Sequence, residues 1–240
     1  AASSENPYQT VHNYLSPALF KEFFDKVNFV FENKNREDYD APAELLGLLK
    51  DYTEQRVLNI EKLNEMLSEG ADTSFAIKYM LSKDGFSDMD SLVGAFMEGY
   101  TLNKINESGE NELKTFMEDG VFKEYISLDE ALYKTYSGNI CERVLKRVCE
   151  RDYENISEFK NTFYDITLTE ELSGKLWQSM KKILEDNNSV IGIDFSEYNK
   201  LSAEKQQAAM IGFAGKISSV TGTESCRSVF DASVAAAKAQ

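Results

Sequence analysis

The sequence predicts an all-α protein built from tandem helical-bundle repeats of about 67 residues, stacked or joined end to end. Three observations predict this class. The 240 residues contain only three prolines, Pro7, Pro17 and Pro42, so helices downstream meet no proline break. Glycine is modest at 13 residues, unlike the turn-rich sequence of a β-sandwich or barrel. Finally, phenylalanines recur at two successive intervals of 67 residues, as Phe96, Phe163 and Phe230.

The neighbours of these phenylalanines repeat in the same register. Apolar residues recur as Ile77, Val144 and Ile211, as Phe86, Tyr153 and Val220, and as Leu92, Phe159 and Cys226. Each copy therefore predicts an amphipathic helix, a short polar link and a second helix, which we term the closing helix. The first helix is expected to end near Lys83, Glu150 or Lys216. The closing helix is expected to begin at a cap such as Ser87, Asn155 or Thr221.

The upstream half of each copy also repeats. Leu46, Leu113 and Met180 correspond, as do Leu49, Phe116 and Ile183, on the predicted helices ELLGLLKDYTEQ, ENELKTFMEDG and EELSGKLWQSMKKILED. A short segment follows each of them, VLNIEKLNEML, YISLDEALYKTY and IGIDFSEYNKLS, in which Ile126 matches Ile193 and Leu128 matches Phe195. At the N-terminus, LSPALFKEFFDKVNFVFEN reads as a further closing helix, with Ser16-Pro17 at its start.

These matches predict four segments. Residues 1–35 would hold the closing helix of an incomplete preceding repeat, followed by repeats at 36–102, 103–169 and 170–240. The copies could form separate bundles or one continuous stack, and the short links favour neighbours that pack together. We therefore expect the chain to be a segment of a longer array.

Net charge argues against several partners. At a formal charge of −15, the surface should repel nucleic acid and anionic membranes. The sequence contains no run of 18 apolar residues, which is about the length that a membrane span needs, so we expect no membrane insertion. The opening Ala1-Ala2-Ser3-Ser4 fits a stub left by signal-peptide cleavage or an artificial start equally well.

The nucleophiles and metal ligands do not form a recognisable site. His12 is the single histidine, and a partly exposed position at a helix start explains it. Cys141 and Cys149 lie roughly 12 Å apart along one predicted helix, too far for a disulfide, while a bridge from Cys226 to either stays open. Cys226 occupies the position of Leu92 and Phe159, which favours a buried structural thiol.

Two acidic segments could suggest calcium, namely residues 84–90 and Glu185 to Asn188 with Asp194. Neither follows the EF-hand register, and turn and capping hydrogen bonds explain them. Most aromatic residues, including the lone Trp177, fall on apolar faces and are expected in the core rather than on a sugar-binding platform. Gly212 and Gly215 lie in a helical pattern and indicate close helix packing.

No phosphate loop, dinucleotide-binding glycine motif or nucleophile elbow is present, and no carboxylate pair is singled out. The sequence thus predicts no enzyme, no catalytic residue, no cofactor and no metal site.

The last copy carries a family resemblance. Its residues Asp194, Tyr198-Asn199, Leu201-Ser202, Lys205 and Phe230, followed by alanine-rich sequence, resemble helical repeats of large secreted surface proteins of Gram-positive bacteria. The resemblance is best over residues 190–240, weaker in the middle copy, and weakest in the first copy, which lacks the tyrosine-asparagine pair. It implies a secreted or cell-surface setting and a spacer or recognition role.

We therefore expect a non-catalytic helical repeat module of a bacterial surface protein, acting as a spacer or as a recognition segment for protein or cell-surface glycan. The alternative is a cytoplasmic helical scaffold or regulator that binds a partner peptide. The cysteines favour this alternative, because reduced thiols suit the cytosol.

Overall fold

The computed structural model describes residues 17–54, 72–118, 126–128 and 139–239. Every regular element in these ranges is a helix, and no strand occurs among them. The predicted all-α class is confirmed, whereas the 67-residue repeat and its four segments stay predictions. Among the described residues, no helix has both the length and the apolar character that crossing a bilayer requires.

The chain divides into two compact units, residues 1–103 and residues 104–240. The first unit contains α1 (Pro17–Asn33), α2 (Ala41–Glu54), α3 (Ser74–Leu81) and most of α4 (Met89–Glu107). Helix α2 packs against both α1 and α3. Apolar side chains of α1 and α2 at helical spacing are fully or almost fully buried, namely Phe23, Val27, Val30, Leu45 and Leu49.

The second unit begins within the last turn of α4. It contains α5 (Glu110–Glu118), α6 (Asn139–Val148), α7 (Ile156–Leu172), α8 (Trp177–Asp186), α9 (Asn188–Ile191), α10 (Ser196–Asn199), α11 (Ala203–Ala214), a 3₁₀ turn (Ile217–Ser219) and α12 (Thr223–Ala239). The most extensive helix pairs are α11 with α12 and α6 with α7. Leu168 and Leu172 of α7 belong to the same buried cluster as Met180, Leu184 and Phe213, so α7 completes the core of the segment that follows it.

Three helices begin at equal intervals. Helices α4, α7 and α12 start at Met89, Ile156 and Thr223, which are 67 residues apart. The phenylalanine seven residues into each helix is buried, as are the side chains three residues in, Leu92, Phe159 and Cys226. The sequence prediction that these positions face a core is confirmed.

The predicted caps of these helices are partly wrong. Asn155 does cap α7, since its side chain accepts a hydrogen bond from the Glu158 amide. Ser87 does not cap α4, because Asp88 accepts from the Ser91 amide at 2.7 Å and Ser87 donates to Asp88 instead. Thr221 lies two residues before α12, and the carbonyl of Gly222 accepts the first helical bond, from Cys226.

Two further sequence predictions are corrected. EELSGKLWQSMKKILED is not one helix: α7 ends at Leu172 and α8 begins at Trp177, because Gly174 adopts a left-handed conformation with φ of 69°. Ile211, predicted on an apolar face, is 47% exposed on the outside of α11. The segment VLNIEKLNEML lies wholly outside the described residues, and of YISLDEALYKTY only residues 126–128 are described.

Candidate functional site

The cysteines occupy structural positions. All three are free thiols, with Cys141 and Cys226 buried and Cys149 half-buried. Burial raises the pKa of Cys226 to about 12, and burial followed by the charge of Glu110 raises that of Cys149. Because the thiolate is the nucleophile and metal ligand, these environments weaken both kinds of chemistry. His12 lies outside the described residues.

The two acidic segments use their oxygen atoms in turns. In the first, Asp88 is the cap of α4. In the second, Asn188 exchanges two hydrogen bonds with the backbone of Ile193, and Asp194 accepts from both the amide and the hydroxyl of Ser196. Such bonds are the capping chemistry that the sequence analysis expected. Among the described residues, no three His, Cys, Asp or Glu side chains group as metal ligands.

The residues that carry the family resemblance form a turn and its core. Asp194 starts α10, and Ser202 caps α11 by accepting from the Lys205 amide at 3.4 Å. Tyr198 is 3% exposed, and its ring lies 5.8 Å from that of Phe230. The motif thus fixes the path of residues 194–202 against α12.

Most aromatic residues were expected in the core, and Phe29 is an exposed exception. Trp177 is half-buried and packs on the core of the second unit. Phe29, which the sequence analysis did not single out, is 56% exposed and makes an edge contact with Tyr39 at 6.0 Å. The two rings border a shallow groove of about 660 Å³ between α1 and α2, also lined by Glu22, Asp25 and Glu44.

The structure brings together polar residues that the sequence did not reveal, at places we call joints. A joint is a contact from α1, α4 or α7, or from the residue after that helix, to main-chain atoms at or between the facing ends of a later pair of helices. These pairs are α3 with α4, α6 with α7, and α11 with α12. The first joint lies in the first unit. Lys34, just after α1, donates to the carbonyls of Leu81 at 2.8 Å and Lys83 at 2.7 Å. It satisfies carbonyls at the end of α3 that have no helical partner.

The second joint lies in the second unit and is bidentate. The Asn106 side chain accepts from the amide of Tyr153 and donates to its carbonyl, both at 3.0 Å. The Tyr153 hydroxyl in turn donates to the carbonyl of Val148, the last residue of α6. Burial raises the pKa of Tyr153 to about 12, so its phenol stays a donor.

The third joint places a carboxylate at a helix start. Asp165 of α7 accepts from the amide of Thr223, the first residue of α12, at 2.7 Å. Negative charge stabilises a helix N-terminus, where amides point outward without helical partners. A Cβ atom at Gly222 would lie 2.5 Å from the Asp165 carboxyl carbon, so this approach requires glycine.

An ion-pair cluster ties α6 to α7 beside the third joint. Arg143 and Arg147 reach the two carboxylate oxygens of Glu170 at 2.6 and 2.9 Å. Burial alone would raise the pKa of Glu170, but the hydrogen bonds and charges of the two arginines lower it. The cluster therefore supports the pairing of these helices.

Comparison with known proteins adds no relative. No family model matches the chain, and comparisons with curated proteins and with solved structures found no match.

Proposed function

We propose that the chain is a non-catalytic helical repeat module of a bacterial surface protein, whose copies act as a spacer or as a recognition segment for protein or glycan. The observation that carries the proposal is the recurrence of the joint. Three times, a polar side chain at or just after a closing helix binds main-chain atoms between the two last helices of the following copy. Successive copies in a solenoid contact one another in this neighbour-to-neighbour manner.

The equal intervals of α4, α7 and α12 support the repeat. Generic amphipathic helices share a period of 3.6 residues, but not three starts at 67-residue intervals. Each start is followed by buried side chains three and seven residues later. The copies therefore share a core position and a helix boundary, as repeats of one ancestral unit would.

The joints suit a structural role because they bind backbone atoms. A hydrogen bond of this kind contributes about 0.5–1.5 kcal/mol net, and one to a charged group about 1.5–3 kcal/mol. Their partners are main-chain groups that would otherwise lack a helical partner. Joints of this chemistry can hold neighbouring copies in register through main-chain atoms, and at the third joint the close approach also requires Gly222.

The titrating groups support a non-catalytic reading. Active sites gather groups with strongly shifted pKa values in one cleft. Among the described residues, the three largest shifts have local structural causes. Lys200 and Lys238 lower the pKa of exposed Glu197 to about 2, while burial raises those of Tyr153 and Cys226.

The surface location rests on the resemblance of residues 190–240 and on the net charge of −15. Antibody labelling and brief trypsin treatment of intact cells of the source organism test it. Labelling of intact cells, abolished by trypsin, is the expected result. Labelling that requires cell lysis would overturn the surface proposal.

The alternative, a cytoplasmic scaffold that binds a partner peptide, is favoured by the three free thiols and by exposed Phe29 in the groove between α1 and α2. This alternative requires that antibody labelling appear only after the cells are lysed. It also requires a cytosolic partner whose capture is lost in Phe29→Ala and retained in Leu176→Ala, which removes an even more exposed apolar side chain elsewhere.

A further inference from the structure

The closing helices differ along one stripe. In α7 the stripe consists of Tyr164, Leu168 and Leu172, all buried, and the two leucines pack in the core formed with α8 and α11. The corresponding residues of α4, one interval earlier, are Met97, Thr101 and Ile105, which are also buried. Spacing of four residues places each set on one helix face.

The stripe of α12 has a different chemistry. One interval after Tyr164, Leu168 and Leu172 come Asp231, Ala235 and Ala239, and all three are exposed. The residue one interval after Asp165, the carboxylate of the third joint, is Ala232, which has no side chain able to cap a helix. The apolar stripe and the counterpart of the Asp165 carboxylate are therefore both missing from α12.

From this difference we infer that α12 is a capping helix, because the outer stripe formed by Asp231, Ala235 and Ala239 cannot receive another copy of the repeat. The inference rests on the proposed repeat architecture and extends it. Stacked-repeat proteins need such terminal units, since the outer face of the last unit must be polar enough to stay in water. Any segment that follows α12 would attach in another way.

The physical reason lies in the core of the last copy. Leu168 and Leu172 are both fully buried members of that core, so residues 173–239 complete their core with side chains from α7. A copy placed after α12 would meet two alanines and a carboxylate instead. Burying Asp231 unpaired would also be costly, and the alanines would leave space where leucine side chains are needed.

Appending residues 173–239 directly after Ala239 tests the inference, because this spacing reproduces the passage from Leu172 to Ser173. The extended chain is compared with a second one in which α12 carries the α7 stripe, as Asp231→Tyr, Ala232→Asp, Ala235→Leu and Ala239→Leu. A matched control keeps Ala232→Asp but places Gln at 231, 235 and 239, which adds size without apolar surface. Limited trypsin treatment followed by intact mass measurement reports how fast the added copy is removed.

Trypsin should remove the added copy about tenfold faster from the chain with wild-type α12 than from the chain with the grafted α12. The Gln control should behave like wild-type α12. The reason is that cleavage follows the population of the undocked segment. Equal resistance on wild-type α12 would overturn the inference, since that stripe would then accept a copy. Rapid removal from all three chains would also overturn it, since the stripe would not be what holds a copy. Neither result bears on surface labelling, which tests the proposed function separately.

Discussion

The two joints of the second unit join similar elements with different chemistry. Asn106 uses both atoms of a neutral amide to bind the peptide group of Tyr153. Asp165 uses one carboxylate oxygen to bind the amide of Thr223, and its approach depends on glycine at position 222. The same connection is therefore made once by matched donor and acceptor atoms and once by charge at a helix start.

The joints therefore reach the same region of the fold with different side chains and different main-chain atoms. Lys34, Asn106 and Asp165 share neither residue type nor position within the interval. Four groups of substitutions test this comparison, in order of decreasing expected effect.

Removing the apolar support beside the third joint should have the largest effect. Leu168→Ala deletes a fully buried side chain and should lower the free energy of unfolding by about 2–5 kcal/mol. The residue one interval earlier, Thr101 of α4, should respond in the opposite direction to substitution. Its buried hydroxyl has no hydrogen-bond partner among the described residues, so replacing it should not destabilise the fold. Thr101→Val should raise stability by about 1 kcal/mol. Urea unfolding of both variants measures the contrast, and a stabilising Leu168→Ala would refute it.

Substituting the glycine of the third joint should cost about 1–3 kcal/mol. Gly222→Ala forces the Asp165 carboxylate away, whereas Gly212→Ala, the control, adds a methyl group at ordinary contact distance from Ser233. The control should be neutral or slightly stabilising, because alanine favours the helix. A double-mutant cycle with Asp165→Ala should show that most of the Gly222→Ala cost disappears. Additive effects would mean that the two residues do not interact.

Exchanging the two polar residues should reveal which atoms each joint uses. Asn106→Asp loses the donor to the Tyr153 carbonyl and sets two acceptors against each other, so a loss of about 1–3 kcal/mol is expected. Asp165→Asn keeps an oxygen for the Thr223 amide and should cost less, about 1 kcal/mol or below. Thermal unfolding of the pair gives the order, and the reverse order would contradict the assignment.

The smallest effect concerns acid stability away from the joints. Lys200 and Lys238 hold the pKa of Glu197 at about 2, below its ordinary value of 4.5. Its contribution to stability is therefore present above about pH 4.5 and is lost as the pH falls towards 2. Glu197→Gln should flatten the pH dependence of the melting temperature in that window. Unchanged acid sensitivity in the variant would show that the pairs contribute nothing.

Much of the fold follows from the sequence because it depends on periodic burial. The apolar positions of Phe96, Phe163 and Phe230 are predictable from helical spacing, and the structure buries all three. The helix break at Gly174 was not predicted, although a left-handed glycine just past a helix end is a local stop signal. The exposure of Ile211 was not predicted because helical spacing alone does not show which face of α11 packs.

The joints could not be predicted from the sequence for a similar reason. Each one pairs a side chain with main-chain atoms 47 to 58 residues away, and main-chain atoms carry no sequence signal. Gly222 offered the only trace, a glycine just before a helix, and that pattern is common to many turns.

We propose that each joint is a local link between successive copies, and amide hydrogen exchange at Tyr153 and Thr223 reports each link separately. Asp165→Ala should speed exchange of the Thr223 amide by roughly tenfold and leave the Tyr153 amide unchanged, while Asn106→Ala should do the reverse. Equal responses of both amides to both substitutions, or no response at either, would contradict the account.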